Sequence, residues 1–492
     1  MSVNNNIDST LDFFQPIMLI IGILLIGLAV SMCVPAFVDI ATGTPDTWVF
    51  PISAAATFVI GGGMALSTKS SHFKMSKRQT FAMATLIWVV ITLFGSLPFV
   101  LGELHMNFTD AFFESMSGIT TTGSTVITGL DGLSAGILVW RAILQWLGGL
   151  GIIVMSISIL PLLRVGGMQI FNIEAFETGN KVFPRMAHIS AGVTFIFVSL
   201  TLVCAFALWL AGMTGLEAIT HAMTTIATGG YSTSDGSVGH FDSALIEAII
   251  TVGMIVGGIP FMLIPVSLHG QVSKLLKDSQ VHWYLGILLF SMIAVAGWLF
   301  SSQGMEPLKA VRYSTFTVAS IMTGTGYAST DYSLWGMFPV VALFFLTLVG
   351  GCSGSTACGI KVFRFQTLFS IVRAEFQKIV QPHGVFIPSY NHNPISDEVI
   401  SSILGFFAIF IFCFMALTVA LGMLGLDFVT AISSAATAMS NVGPGFGPIV
   451  GPSGSFQNIP DAAKWLLSFG MLTGRLEVFT VMVLFTRHFW RN

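Results

Sequence analysis

The sequence predicts an all-α polytopic membrane protein with ten transmembrane helices. Four helix–pore helix–helix repeats surround a pseudo-fourfold pore, and an extra N-terminal helix pair precedes them. The 492-residue chain is 54% hydrophobic and only 9% charged, whereas soluble domains have about 25% charged residues. Apolar runs long enough to cross a bilayer recur along it. Between them lie four short Thr/Gly loops around glycines 123, 229, 326 and 443, separated by 106, 97 and 117 residues by subtraction.

The first unit, residues 1–78, predicts a helix pair. Residues 16–36 and 49–66 are apolar runs joined by a short loop. Residues 1–15 are polar and acidic and lack the basic stretch of a cleavable signal peptide. We therefore expect the first run to remain as a membrane helix.

Four passes of one pattern follow: a long apolar run, a shorter amphipathic run, a Thr/Gly loop and a second long run. The short runs, of about 10–15 residues, do not span a bilayer and predict re-entrant helices whose loops line protein or water. The predicted units are 79–188, 189–281, 282–396 and 397–492. Their long runs are 81–101 and 137–160, 189–211 and 244–266, 283–300 and 334–380 (interrupted), and 399–424 and 462–487.

The basic residues indicate the orientation. With the N-terminus inside, fifteen of the 20 Lys and Arg residues fall in inner segments, three in outer segments and two within spans. This asymmetry is typical of the positive-inside rule and puts the Thr/Gly loops on the outer side. The inner set is Lys69, Lys74, Lys77, Arg78, Arg164, Lys181, Arg185, Lys274, Lys277, Lys361, Arg364, Arg373, Lys378, Arg487 and Arg491.

Acidic residues are expected near the outer mouth, where they would concentrate cations. The alternative is that these acids belong to ordinary outer loops. The residues are Asp110, Glu114, Asp131, Glu217, Asp235, Asp242, Asp331 and Asp427.

The Thr/Gly loops have the composition of a cation filter. Backbone carbonyls can replace the water around a potassium ion without placing a full charge in the pore. Turning successive carbonyls inward needs backbone angles that glycine tolerates. A half-helix directs the negative end of its dipole at each loop. The predicted K+ filter residues are Thr121, Thr122, Gly123, Thr228, Gly229, Thr325, Gly326, Val442 and Gly443.

A run of small and polar residues at 350–359 interrupts the last span of the third repeat. Such a segment cannot hold a lipid-facing helix, so we interpret it as a flexible loop under the filter that blocks or opens the path. The alternative is a cytosolic linker between two helices. A phosphate-binding P-loop is excluded because the glycine–lysine spacing and the preceding strand are absent. The predicted gate residues are Gly350, Gly351, Ser353, Gly354, Ser355, Thr356, Gly359, Lys361 and Arg475.

Arg475 joins this set because it lies within an apolar run, where an ionisable residue is a functional candidate. It could donate hydrogen bonds to the gate loop or set a barrier for ions, with Glu477 as its local partner. The alternative is a salt-bridged structural arginine near the inner interface. Arg141 is interpreted as an interface anchor and His221 as structural.

These motifs together resemble the Trk/Ktr/HKT superfamily over nearly the whole chain. The resemblance rests on the four pore-loop units, the Gly-Gly-Cys-Ser-Gly-Ser-Thr-Ala segment before Lys361, and Gly-Arg-Leu-Glu at 474–477. The extra N-terminal pair is similar to TrkH/TrkG-type bacterial potassium uptake proteins. Glycine in all four loops fits the potassium-favouring members. Val442 and Pro444 make the fourth loop depart most from the pattern.

The resemblance implies homodimers in the bacterial inner membrane, with one pore per protomer and both termini cytoplasmic. It also implies a cytosolic TrkA-type ring of nucleotide-binding subunits that gates the pore. This chain lacks a G-x-G-x-x-G segment on a βαβ pattern, so NAD and ATP are expected only on that partner.

Other functions remain as alternatives. A proton- or sodium-coupled symporter would favour a carboxylate in mid-span, and the long spans hold few. An intramembrane enzyme would need a nucleophile–base pair or a metal-ligand set, and no H-E-x-x-H is present. The five cysteines show no metal-binding pattern, and nothing indicates nucleic acid.

Overall fold

The structure is a computed structural model that describes residues 2–44, 46–68, 75–158, 166–168, 182–268, 272–391 and 393–491. Lys69, Lys74, Arg164 and Lys181 of the inner basic set lie outside these residues.

The N-terminal unit packs against the first repeat as two spans, the first of which is divided into two helices. Its helices are Ser2–Ser31 (α1), Cys33–Thr42 (α2) and Val49–Leu66 (α3). Glycines let α1 and α3 approach closely, since a Cβ on Gly61 would lie 2.8 Å from Leu25 Cβ. Asp39 Oδ1 accepts a hydrogen bond of 2.8 Å from the Gly136 amide at the start of the next long helix. This contact fixes the pair to repeat 1.

Repeats 1 and 2 follow the predicted order. Repeat 1 contains Lys77–Gly95 (α4), Leu97–Leu101 (α5), Phe108–Ile119 (α6) and Ala135–Ser158 (α7). Repeat 2 contains Val182–Leu210 (α8), Gly215–Ile226 (α9) and Ala244–Gly257 (α10), and the short helices Leu263–Leu268 (α11) and Val272–Lys277 (α12) follow.

Repeats 3 and 4 contain the irregular second spans. Repeat 3 has Ser279–Gln303 (α13), Pro307–Thr323 (α14), Met337–Val349 (α15) and Val362–Val380 (α16), then a two-stranded hairpin of Ser389–Tyr390 (β1) and Asn393–Pro394 (β2). Repeat 4 has Asp397–Met423 (α17), Phe428–Ser440 (α18), Gly447–Val450 (α19), Asp461–Arg475 (α20), Val478–Met482 (α21) and Arg487–Trp490 (α22).

The pore helices α6, α9, α14 and α18 are buried in the centre. Three are capped by side chains at their N-terminal ends: Asn107 accepts from Asp110 N, Thr214 from Glu217 N, and Asp427 from Thr430 N. The fourth begins with Pro307, whose missing N–H costs nothing there. Large apolar side chains of the outer helices face outward instead, as Phe290 does at 75% exposed. Large apolar side chains exposed on the outer helices are the pattern of a membrane protein.

Within the described ranges, seven helices are long and apolar enough to cross a membrane, or eight when one bent pair is counted as a span. The predicted number of ten is not reached by length. The run 244–266 is helical only to Gly257 before it turns, and the run 334–380 divides into α15 and α16 around the 350–359 loop.

The predicted span 462–487 is not straight, which corrects that expectation. α20 and the segment Val478–Phe485 meet at 115°. The bend occurs where Glu477 takes a positive φ of 65°, which no α-helix accommodates.

Candidate functional site

The four Thr/Gly loops meet at the centre and share one backbone conformation. In each loop, a residue one or two positions after the pore helix has a positive φ, and the residue two positions later is a glycine that also has a positive φ. The pairs are Thr121 (52°) and Gly123 (88°), Thr228 (49°) and Gly230 (78°), Gly324 (79°) and Gly326 (80°), and Asn441 (51°) and Gly443 (93°).

The hydrogen bonds of the middle residue fix the alignment of the loops. In each loop its amide donates to the carbonyl five residues earlier: Thr122 to Ser117 (2.8 Å), Gly229 to Thr224 (2.8 Å), Thr325 to Ser320 (2.9 Å), and Val442 to Thr437 (3.1 Å). Gly229 therefore occupies the position of Thr122, and Gly230 that of Gly123. The sequence alignment of the four loops, which matched Gly229 with Gly123, is therefore wrong by one residue. Gly229 and Gly230 are adjacent, and only their φ values show which of them is equivalent to Gly123.

The glycines close a ring around the centre. A Cβ on Gly123 would clash with the Gly229 carbonyl, one on Gly230 with the Thr325 carbonyl, and one on Gly326 with the Val442 carbonyl. The ring closes where a Cβ on Gly443 would lie 2.8 Å from the Thr122 oxygen. Each loop thus touches the next, and a side chain at any of the four glycines would disrupt the ring.

The carbonyls of this ring are largely unpaired. Among the described residues, no hydrogen-bond donor reaches the backbone oxygens of Thr122, Thr325 or Val442, although all three residues are buried. Buried carbonyls normally have partners, because leaving one unpaired is costly. Buried oxygens that lie around a ring without donors are suited to a desolvated cation.

Side chains hold the loops in place. Threonine hydroxyls pair within loops 1 and 3, where Thr120 lies 2.8 Å from Thr122 and Thr323 lies 2.7 Å from Thr325. Val442 has no hydroxyl in loop 4, and Asn441 compensates by donating to Thr122 Oγ1 at 2.9 Å. The departure of the fourth loop from the common pattern therefore has a structural reason: it braces loop 1.

A buried ion pair supports loops 1 and 2 from behind. Arg141 Nε donates to Glu114 at 2.9 Å, and Arg141 Nη1 donates to the Ser232 carbonyl at 2.9 Å. Arg141 is 1% exposed, so its interpretation as an interface anchor is wrong. His221 lies 3.0 Å from Ser232 Oγ and 2.9 Å from the Glu217 carbonyl, and both ring nitrogens therefore have structural partners.

A cavity of about 320 Å³ opens outside the ring and is lined by Gly123, Gly230 and Gly326. Of the eight acids expected at the outer mouth, only Asp235 lines it. The others mainly cap helices or pair with bases, as Asp110 does with Lys464. Nearby, a hydrogen bond from Ser234 lowers the pKa of the Asp131 carboxyl. The acidic outer mouth expected from the sequence is therefore reduced, around this cavity, to the single carboxylate of Asp235.

The 350–359 loop lies against the ring, on the side away from the cavity. Thr356 Oγ1 is 3.0 Å from the carbonyls of both Ile226 and Gly257, and Cys352 N donates to the Gly258 carbonyl at 3.0 Å. Cys358 Sγ lies 3.8 Å from Thr121 Oγ1 of loop 1. The loop is buried against repeats 1 and 2, in contrast to the alternative of a cytosolic linker.

The predicted gate residues lie in and beside this loop. Gly350 and Gly359 pack together with positive φ, and Ser353 N donates to Gln280 Oε1 at 2.7 Å. The same stretch contains Gly351, Gly354 and Ser355, whose Oγ donates to the Cys352 carbonyl at 2.6 Å.

Arg475 is buried against the 350–359 loop. Its Nη1 donates to the Thr356 carbonyl at 3.2 Å and contacts Cys358 Sγ, and its Nη2 donates to the Gly148 carbonyl at 3.2 Å. It therefore ties repeat 4 to the loop and to α7 through backbone carbonyls, and none of its partners among the described residues is a carboxylate.

Glu477 pairs with repeat 3, not with Arg475 as expected. It contacts Arg364 Nη2, and its Oε1 lies 3.9 Å from Lys361 Nζ. Lys361, Arg364 and Glu477 are each under 10% exposed, so the two bases are not free cytosolic charges. They join the start of α16 to the bend after α20.

Sequence reasoning did not assign Gly230, Gln145 or Asn441 to the site, and it counted Arg364 only among the inner basic residues. Gln145 Nε2 donates to the Gly229 carbonyl at 2.6 Å, and its Oε1 accepts from Tyr231 N at 3.0 Å. The sequence offered one signal for Gln145. It lies in an apolar run four residues after Arg141, and this spacing places both polar side chains on one helical face.

Comparison with known proteins agrees with this architecture. Residues 48–491 match the TrkH family model, described as a cation transport protein. A Trk system potassium uptake protein TrkI from Halomonas elongata is 43% identical over the full length of both chains. TrkH from Escherichia coli K12 is 35% identical, covering 97% of this chain and 100% of the relative. The crystal structure of the potassium transporter TrkH from Vibrio parahaemolyticus superposes with a TM-score of 0.89 at 34% identity, covering 97% of this chain and 100% of the other.

Proposed function

Because the chain belongs to the TrkH family of cation transport proteins, we propose that it takes up potassium ions through a filter formed by the four Thr/Gly loops. The family is one of transporters and not of enzymes. The observation that carries the proposal is the ring of buried carbonyls at Thr122, Thr325 and Val442, which no donor of the described part of the chain reaches and which glycines with positive φ close. Gly229 supplies the fourth carbonyl of the ring.

The proposal includes a gate made by the 350–359 loop and Arg475. The loop lies against the ring, and Arg475 holds it through the Thr356 carbonyl. Opening requires the loop to move away from Thr121, which breaks its hydrogen bonds with the Ile226 carbonyl and with Arg475. This movement would be driven from the inner side. The resemblance supports a homodimer in the bacterial inner membrane and a cytosolic TrkA-type subunit that binds NAD or ATP and drives the gate.

Rubidium uptake into liposomes that carry the purified protein tests the filter. We expect uptake to follow the rubidium gradient, and Gly326→Ser to abolish selectivity over sodium because its Cβ meets the Val442 carbonyl and lies 2.7 Å from Pro444 Cδ. Gly304→Ser is the matched control, since Gly304 also has a positive φ (63°) but no atom lies within 4 Å of its Cβ position. Wild-type selectivity in Gly326→Ser would exclude this filter, and uptake that requires a proton gradient would indicate a symporter.

A further inference from the structure

The ring of carbonyls is chemically asymmetric. The equivalent oxygens belong to Thr122, Gly229, Thr325 and Val442, and the Gly229 oxygen alone among them accepts a hydrogen bond from a described residue. The donor is Gln145 Nε2 at 2.6 Å. One of the four oxygens is therefore already partly satisfied before any cation arrives.

Gln145 holds both sides of the second filter glycine. Its amide donates to the carbonyl of Gly229 and accepts from the amide of Tyr231 at 3.0 Å, so its two contacts bracket Gly230. The side chain is 0% exposed and comes from α7 of repeat 1, not from repeat 2. One turn earlier on the same helix, Arg141 donates to the Ser232 carbonyl at 2.9 Å. Helix α7 thus fixes the path of loop 2 from Gly229 to Ser232.

This contact has a consequence for ion preference. A carbonyl that accepts a hydrogen bond has one lone pair engaged and a positive N–H dipole beside it, so it presents a weaker field to a cation. Strong-field oxygen sites favour smaller cations, because a small ion approaches the oxygens more closely. Weakening one oxygen of four shifts the preference from sodium toward potassium.

We propose that Gln145 is a specificity-determining positioning residue, which sets the potassium-over-sodium preference by engaging the Gly229 carbonyl. This inference rests on the proposed function, in which the four loops form the filter. Gln145 acts through Gly229 and Gly230, and it need not touch the ion.

The test compares rubidium and sodium uptake into liposomes carrying wild type, Gln145→Met or Gln145→Asn. Methionine has similar length but no donor, and asparagine is one methylene too short to reach both partners. We expect the rubidium-to-sodium uptake ratio to fall about fivefold in each, on the scale of one net hydrogen bond, while transport itself continues. Gln303→Leu is the control. Gln303 Nε2 donates to the Trp335 carbonyl at a distance of 3.2 Å, and this hydrogen bond does not involve the Thr/Gly loops.

The two variants and a filter variant separate the possible failures. Suppose that Gln145→Met or Gln145→Asn reaches the membrane with a wild-type rubidium-to-sodium uptake ratio, while Gly230→Ser lowers that ratio. This result would overturn the role of Gln145 and leave the filter intact. A wild-type ratio in Gly230→Ser would instead overturn the filter and the inference with it. A ratio that falls equally in Gln303→Leu would assign the effect to general destabilisation and contradict the proposal.

Discussion

At the scale of single residues, Arg475 is the clearest determinant of the proposed gate. It holds the 350–359 loop through the Thr356 carbonyl and Cys358 Sγ. We expect Arg475→Leu to loosen the loop and to raise rubidium uptake by the protein alone several-fold. Arg373→Leu on the exposed face of α16 is the control and should leave uptake unchanged. Reduced uptake in Arg475→Leu, with normal amounts of folded protein, would contradict the gating role.

The buried pair of Glu114 and Arg141 makes a prediction about stability. Glu114→Gln leaves the arginine, whose side chain is 2% exposed, without its counter-charge. Removing one partner of a buried pair costs roughly 3–5 kcal/mol, which thermal unfolding in detergent would detect. The exposed pair of Lys309 and Glu306 at 4.0 Å provides the comparison, since Lys309→Gln should cost below about 1 kcal/mol. Equal effects would show that the Glu114 pair contributes no more than a surface contact.

At the scale of elements, the bend between α20 and α21 depends on both backbone conformation and charge. Glu477 has a φ of 65° and pairs with Lys361 and Arg364. Glu477→Gly and Glu477→Ala remove the same carboxylate, but only glycine accepts this φ without strain. We therefore expect the glycine variant to be more stable than the alanine variant by about 1 kcal/mol in thermal unfolding. The reverse order, which is normal for a helix, would mean that the bend does not persist in the protein.

The elements were more predictable than the details of the site. Hydrophobic runs and their lengths predicted most of the spans, the short helices before the Thr/Gly loops and the break at 350–359, because these depend on local composition. The bend at Glu477 and its pairing with Arg364 were not predictable, since they depend on two repeats about 110 residues apart in sequence meeting in the fold (477 − 364 = 113). The register error at Gly229 has the same origin: backbone angles and the contact from Gln145 decide it, and neither can be read from Thr-Gly-Gly-Tyr alone.

At the scale of the whole molecule, the charge asymmetry of the chain defines its orientation, which we propose to be N-terminus inside. Two exposed positions test it: Asn458, after the outer cavity, and Lys378, near the end of α16. In a background without the exposed Cys33, we expect a membrane-impermeant maleimide to label Asn458→Cys in intact cells. Lys378→Cys should react only after permeabilisation. The opposite labelling pattern would place the 350–359 loop on the outer side of the membrane. The gate would then have to be driven from that side, where no cytosolic partner reaches.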